Sequence, residues 1–230
     1  MILSWPSLWY AEYSSMNWSE MASIMASPVE DAGELAALAI SLFGSGDGDP
    51  LPPALAAVAA DSTDHRGWTA LALVKMSPDT VLMDSLFSRA FALAGETDPV
   101  LSEIYAYWLL SSSNLQGAVD HSSAAIAADS SFGPAWLTLS MAYMDMGRPE
   151  MAVDVSSQSL DFQPGSVPLR HQHAAALEAA GSLSPAAEAY RAVVELDPSN
   201  TPALADLASL YLAMGMDGRA IKAYRDILEI

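Results

Sequence analysis

The chain has 230 residues and no cysteine. Disulfides, thiolate nucleophiles and zinc–thiolate sites are therefore excluded, and the redox compartment is left undetermined. Positive charge is also scarce: nine Lys and Arg stand against 28 Asp and Glu, the only lysines are Lys75 and Lys222, and no permanent cation precedes Arg66. A net charge of −19 without a basic stripe speaks against binding phosphate backbones or anionic membrane surfaces. The same acidity fits a salt-adapted host, a basic partner or simply a solubilising surface. Long apolar runs are missing as well. The longest charge-free helical stretch, Ile104 to Val119, is too short to span a bilayer and is interrupted by Ser111, Ser112, Ser113 and Asn114. The apolar opening, Met1 to Tyr10, lacks the cationic lead of a secretory signal. The sequence thus predicts no membrane insertion and favours a cytoplasmic location. It carries no P-loop, dinucleotide fingerprint, nucleophile elbow or zinc-protease helix, so the expectation is a non-catalytic chain without cofactor or metal.

What is present is a repeat. Pro134, Pro168 and Pro202 lie 34 residues apart, each ahead of an apolar periodic segment where a fixed φ and a missing N–H suit the first helical turn. Gly147, Gly181 and Gly215 share that spacing and close the segments, as residues that accept the left-handed conformation should. Ala118, Ala152, Ala186 and Ala220 recur once per period in the following segment, where a small side chain lets a second helix lie close to the first. Trp136, Leu139, Ser140 and Tyr143 fall on one helical stripe, repeated by Leu204, Leu207, Ala208 and Tyr211.

These residues resemble the tetratricopeptide repeat, whose Trp, Leu, Gly, Tyr, Ala, aromatic and Pro positions are met by Trp136, Leu139, Ser140, Tyr143, Ala152 and Pro164, with Ser156 in place of the aromatic. The next unit keeps Ala174, Leu177, Gly181, Ala186, Tyr190 and Pro198 but has Arg170 and His173 at the front. The resemblance implies an all-α fold, a right-handed α-solenoid of antiparallel helix pairs. Repeats are assigned to 99–132, 133–166, 167–200 and 201–230; in the first of these Ser113 stands for the glycine. Degenerate helical hairpins are assigned to 28–98, with helices expected over about 28–43, 53–60, 67–76 and 77–94. Residues 1–27, with Trp5, Trp9, Tyr10 and Trp18, form an arm or cap. The capping box Ser27-Pro28-Val29-Glu30 starts the first of these helices, and Gly44 is expected to close it.

In this family a groove lined by first-helix residues holds extended peptides or helices. Carried over, the groove positions are Tyr107, Leu137, Met141, Met144, Asp145, His171, Ala175, Glu178, Ala205, Ser209 and Leu212. Met141 and Met144 would either adapt to an apolar ligand or fill gaps between helices. The subclass that clamps acidic chaperone tails uses Lys, Arg and Asn, whereas the matching positions here include Leu137, Met141, Gln172, Pro202 and Asp206. The expected partner is therefore a protein or peptide of apolar or basic character, not nucleic acid. The leading function is a protein-binding scaffold. The alternatives are an accessory domain of a larger enzyme, such as a transferase, and a structural subunit that self-associates through its C-terminal helix. His171 and His173 lie two apart on a helix and point in different directions, which disfavours a metal site. Asp61, Asp64 and His65 read as a solvated turn, and Gly44 to Asp49 as a linker without calcium-loop spacing.

Overall fold

A computed structural model describes residues 31–76, 79–94 and 98–230. Among these residues there are twelve helices and no strand, so the fold is an all-α helical solenoid. The arm assigned to 1–27, the capping box at 27–30 and the Ser77-Pro78 helix start lie outside the described residues. The chain divides into two compact units, the first ending at Asp129 and the second running from Ser130 to Ile230.

The first unit contains α1 (Ala32–Ser45), α2 (Leu51–Ala60), α3 (His65–Val74), α4 (Thr80–Ala94), α5 (Pro99–Ser111) and α6 (Leu115–Ala128). Several expected boundaries move, and the helix expected over 67–76 runs from His65 to Val74. Helix α1 starts after Asp31, whose carboxylate accepts from Gly33 N at 2.7 Å and Glu34 N at 3.2 Å. It ends not at Gly44 but at Gly46, which takes the left-handed conformation at φ 69°. Helix α2 begins two residues earlier than expected, because Pro52 and Pro53 both fit within a first turn that needs no N–H donors. Helix α3 starts behind Asp64, which caps Arg66 N at 2.9 Å and pairs with the Arg66 guanidinium; that contact first of all holds the Asp64 carboxyl below its usual range. A cluster of rings ties α4 to α5 and α6: Phe87 lies 4.5 Å from Tyr105, Tyr105 stacks on Trp108, and His121 meets the Tyr105 ring edge-on.

The second unit contains α7 (Gly133–Asp145), α8 (Pro149–Phe162), α9 (Val167–Ala179), α10 (Leu183–Leu196), α11 (Thr201–Ala213) and α12 (Asp217–Leu228). Each helix packs on the next, and α9 also reaches α7. Three-residue connections within α7/α8, α9/α10 and α11/α12 make these pairs antiparallel. Ala152, Ala186 and Ala220 are fully buried, as is Ala118 in α6, so the second helix of each pair can approach the first.

The punctuation is repeated atom for atom. Ser113 N donates to Leu110 O and Asn114 N to Leu109 O, the double hydrogen bond of a Schellman cap. The same two bonds recur from Gly147 and Arg148, from Gly181 and Ser182, and from Gly215 and Met216. The residue at the centre is left-handed each time, including Ser113 at φ 64°. First-helix N-caps also keep the 34-residue register: Asp64, Asp98, Phe132, Ser166 and Asn200. All but Phe132 cap through a side-chain oxygen. Trp68 and Trp136, two periods apart, each donate from Nε1 to the carbonyl six residues upstream, at 3.0 and 2.9 Å. The register therefore begins at Asp64, well ahead of the Pro99 from which the apolar pattern is easily read.

Candidate partner-binding surface

The first helices of the second unit are α7, α9 and α11, and the 34-residue register aligns their candidate residues in rows. One row is Leu137, His171 and Ala205; the next is Met141, Ala175 and Ser209; the third is Met144, Glu178 and Leu212. Leu137 is buried at 6% exposure, while Met141, Met144, His171, Ala175, Glu178 and Ala205 are half-buried. Asp145, Ser209 and Leu212 are exposed. Tyr107 belongs to α5 of the first unit, where it is half-buried.

Several of these side chains already have internal tasks. His171 Nε2 lies 2.9 Å from Asp206 Oδ2, joining α9 to α11, and its ring meets the edge of Tyr190 at 5.4 Å. Tyr190 donates its hydroxyl to Glu178 at 3.1 Å. Burial, and then the carboxylates of Asp206 and Glu178, push the Tyr190 hydroxyl far above the usual phenol range, so it remains a donor at any physiological pH. Gln172 Nε2 donates to Ser140 Oγ at 3.1 Å and reaches Met144 Sδ at 3.2 Å, fastening α9 to α7. Met144 thus has a packing role on one side and a half-exposed flank on the other.

One exchange of sizes explains the departures in α9. The register position of Tyr190 and Tyr224 is Ser156 in α8, and the position of Leu139 and Leu207 is His173 in α9. The small serine leaves room for the imidazole, and Ser156 Oγ lies 3.0 Å from His173 Nδ1. Burial, followed by the Arg170 charge, pulls the His173 pKa below its ordinary value and favours the neutral ring in this contact. His171 and His173 accordingly serve different neighbours. Among the described residues no group of three or more His, Cys, Asp and Glu is placed to hold a metal, and no helix is long and apolar enough to cross a membrane.

The charges on the three first helices have one dominant sign. Asp145 is the only charged residue of α7 and Asp206 the only one of α11. Helix α9 adds Glu178 and Arg170, and the Arg170 guanidinium is drawn back to the Pro164 carbonyl at the loop.

Residues 133–165 match the sequence profile of the tetratricopeptide repeat. These residues form a tetratricopeptide repeat. The matched segment spans α7, α8 and the turn behind them, the unit whose caps and buried alanine the other pairs reproduce. No curated protein matches this repeat protein in sequence. Its fold is similar to solved structures at low identity. PilF of Pseudomonas aeruginosa is 16% identical, with a TM-score of 0.69 over 89% of this chain and 90% of that one. TTC0263, a thermophilic TPR protein of Thermus thermophilus, is 20% identical, with a TM-score of 0.58 over 86% and 90%. YrrB, described as a TPR protein with an unusual peptide-binding site, is 16% identical, with a TM-score of 0.57 over 76% and 91%.

The polar contacts of Ser140, Ser156, Gln172 and His173 are not predicted by the repeat pattern, whereas Met144, His171 and Glu178 are candidate surface residues that also make such contacts. Their trace in sequence is the run Arg170-His171-Gln172-His173, which puts polar groups where α7 has Trp136, Leu137, Thr138 and Leu139.

Proposed function

We propose that the chain is a non-catalytic scaffold that holds a peptide or helix of apolar or basic character against the first-helix face of its second unit. The observation that carries this reading is the make-up of that face. Exposed Leu212 and half-buried Met141 and Met144 stand beside Asp145, Glu178 and Asp206, and the face has no lysine and a single arginine that is turned to a loop carbonyl. Apolar side chains would supply the contact area, and the carboxylates would select against acidic segments and fix register. The solved neighbour described as having a peptide-binding site lends support to the same class of function.

The test is affinity capture from the native host with the intact chain and with Met141→Glu and Leu212→Glu, both made at accessible positions. Loss of the same captured protein by both variants, at unchanged melting temperature, is the expected outcome. Leu137→Glu is unsuited to this purpose, because its buried side chain would report on folding. Undiminished capture by both variants would count against the first-helix face.

A further inference from the structure

Two polar side chains at one register position reach back along the second unit. Gln172 of α9 and Asp206 of α11 lie 34 residues apart, and each meets a candidate face residue of the preceding first helix. Gln172 Nε2 lies 3.2 Å from Met144 Sδ of α7 and 3.1 Å from Ser140 Oγ. Asp206 Oδ2 lies 2.9 Å from His171 Nε2 of α9. Chemistry sets the donor in each contact. A thioether carries no hydrogen, so the Gln172 amide must turn its NH2 group to Met144, and Ser140 Oγ, which donates to Ala152 O, accepts the second N–H. A carboxylate only accepts, so the His171 ring carries its hydrogen on Nε2.

Gln172 is 7% exposed and Ser140 is fully buried, so the amide is anchored where α7 and α9 pack and cannot follow Met144 outwards. An unbranched methionine with three rotatable bonds otherwise adapts to whatever it meets, and a bond to its sulfur removes part of that freedom. Met141, about one turn away on the same helix, has no bond of this kind among the described residues. Side chains that are fixed beforehand spare the ordering cost that binding would otherwise impose. We infer that Gln172 and Asp206 are positioning residues of the first-helix face: they hold Met144 and His171 in one arrangement before a partner arrives, and leave Met141 as the adaptable contact. The inference rests on that face being the partner surface.

Nuclear magnetic resonance of the full chain, isotopically labelled at the methionine methyl groups, tests the holding step without any partner. Met144→Leu identifies the Met144 signal. In the parent that methyl should be more ordered than the Met141 methyl, and Gln172→Leu should lower its order towards that of Met141. Imidazole nitrogen shifts should place the His171 hydrogen on Nε2 in the parent and show mixed tautomers in Asp206→Leu. The protein captured by the intact chain, once purified, supplies the binding test. Gln172→Leu should weaken its binding about three- to ten-fold, the ordering cost of one released side chain. With Met144→Leu already present, the same change should cost less than about two-fold, because nothing is left to hold. A merely structural residue would weaken both backgrounds alike. Four results would overturn the inference: a Met144 methyl equally ordered with and without Gln172, a His171 tautomer indifferent to Asp206→Leu, an affinity that Gln172→Leu leaves unchanged, or equal losses in the two backgrounds. Capture that survives both Met141→Glu and Leu212→Glu would instead remove the partner surface itself, whatever the methyl signals show.

Discussion

Replacing Ser113 by glycine should stabilise the chain although it adds no contact. Ser113 stands at φ 64°, where Gly147, Gly181 and Gly215 stand in the later pairs. A residue with a Cβ in this conformation carries about 1–2 kcal/mol of steric cost. Glycine removes that cost but adds about 0.5–1 kcal/mol of backbone entropy to the unfolded chain. Ser113 is exposed, and both Schellman hydrogen bonds at this turn use backbone atoms, so the substitution leaves them intact. The net gain is about 0.5–1 kcal/mol, corresponding to a rise of about 1–4 °C in melting temperature for a chain of this size. The converse change, Gly147→Ala, adds a Cβ at φ 69° in open space and by the same two terms should lose about 0.5–1 kcal/mol. Urea denaturation of both variants followed by circular dichroism is the assay. A Ser113→Gly protein no more stable than the parent, beside a Gly147→Ala protein with no loss, would refute the equivalence of the four turns.

Gly67 tests helix approach: a Cβ there would lie 3.1 Å from Val58 N and 3.2 Å from Ala57 C, so the usual helix-interior gain of about 1 kcal/mol from Gly→Ala should be cancelled or reversed. Gly218→Ala, with open space around it, should show no such loss, and comparing the two melting temperatures checks the point. Tyr190→Phe removes only the hydroxyl bond to half-buried Glu178 and should cost about 1 kcal/mol, against about 3–5 kcal/mol for Tyr190→Ala; equal losses in denaturant would contradict the packing described. His173 has a folded pKa below its unfolded value of about 6.5, so its contribution is complete above that pH and is lost as pH falls towards the folded pKa. His173→Gln should therefore lose less stability than the parent between about pH 7 and pH 5, measured as melting temperature against pH.

The parts of this fold that sequence displays are those where backbone geometry restricts the residue. A left-handed turn calls for glycine and a first helical turn tolerates proline, so Gly147, Gly181, Gly215 and Pro134, Pro168, Pro202 announce the pairs they punctuate. Where the geometry is met by other means, the signal fades. Ser113 adopts the glycine conformation, and Asp64 marks a helix start with a letter that is common elsewhere in an acidic chain. Gly44 and Gly46 are equally plausible helix ends by composition, and only the chain path selects Gly46. The candidate surface was partly legible, since register assigns Leu137, Met141 and Met144 to first-helix rows. Burial of Leu137 and the bond from Gln172 to Met144 depend on how neighbouring helices meet, which spacing does not encode. The Ser156 and His173 exchange is legible only as a pair, because each alone is a departure from the repeat.

The central claim is that a partner is held by first helices and not by second helices. A photo-crosslinking amino acid placed at Ser209 of α11, and separately at Arg191 of α10, tests it directly, since both positions are exposed. After irradiation in host extract, the Ser209 protein should yield a discrete crosslinked partner that the Arg191 protein does not. Crosslinking of that partner from Arg191 alone, or equally from both positions, would contradict the account.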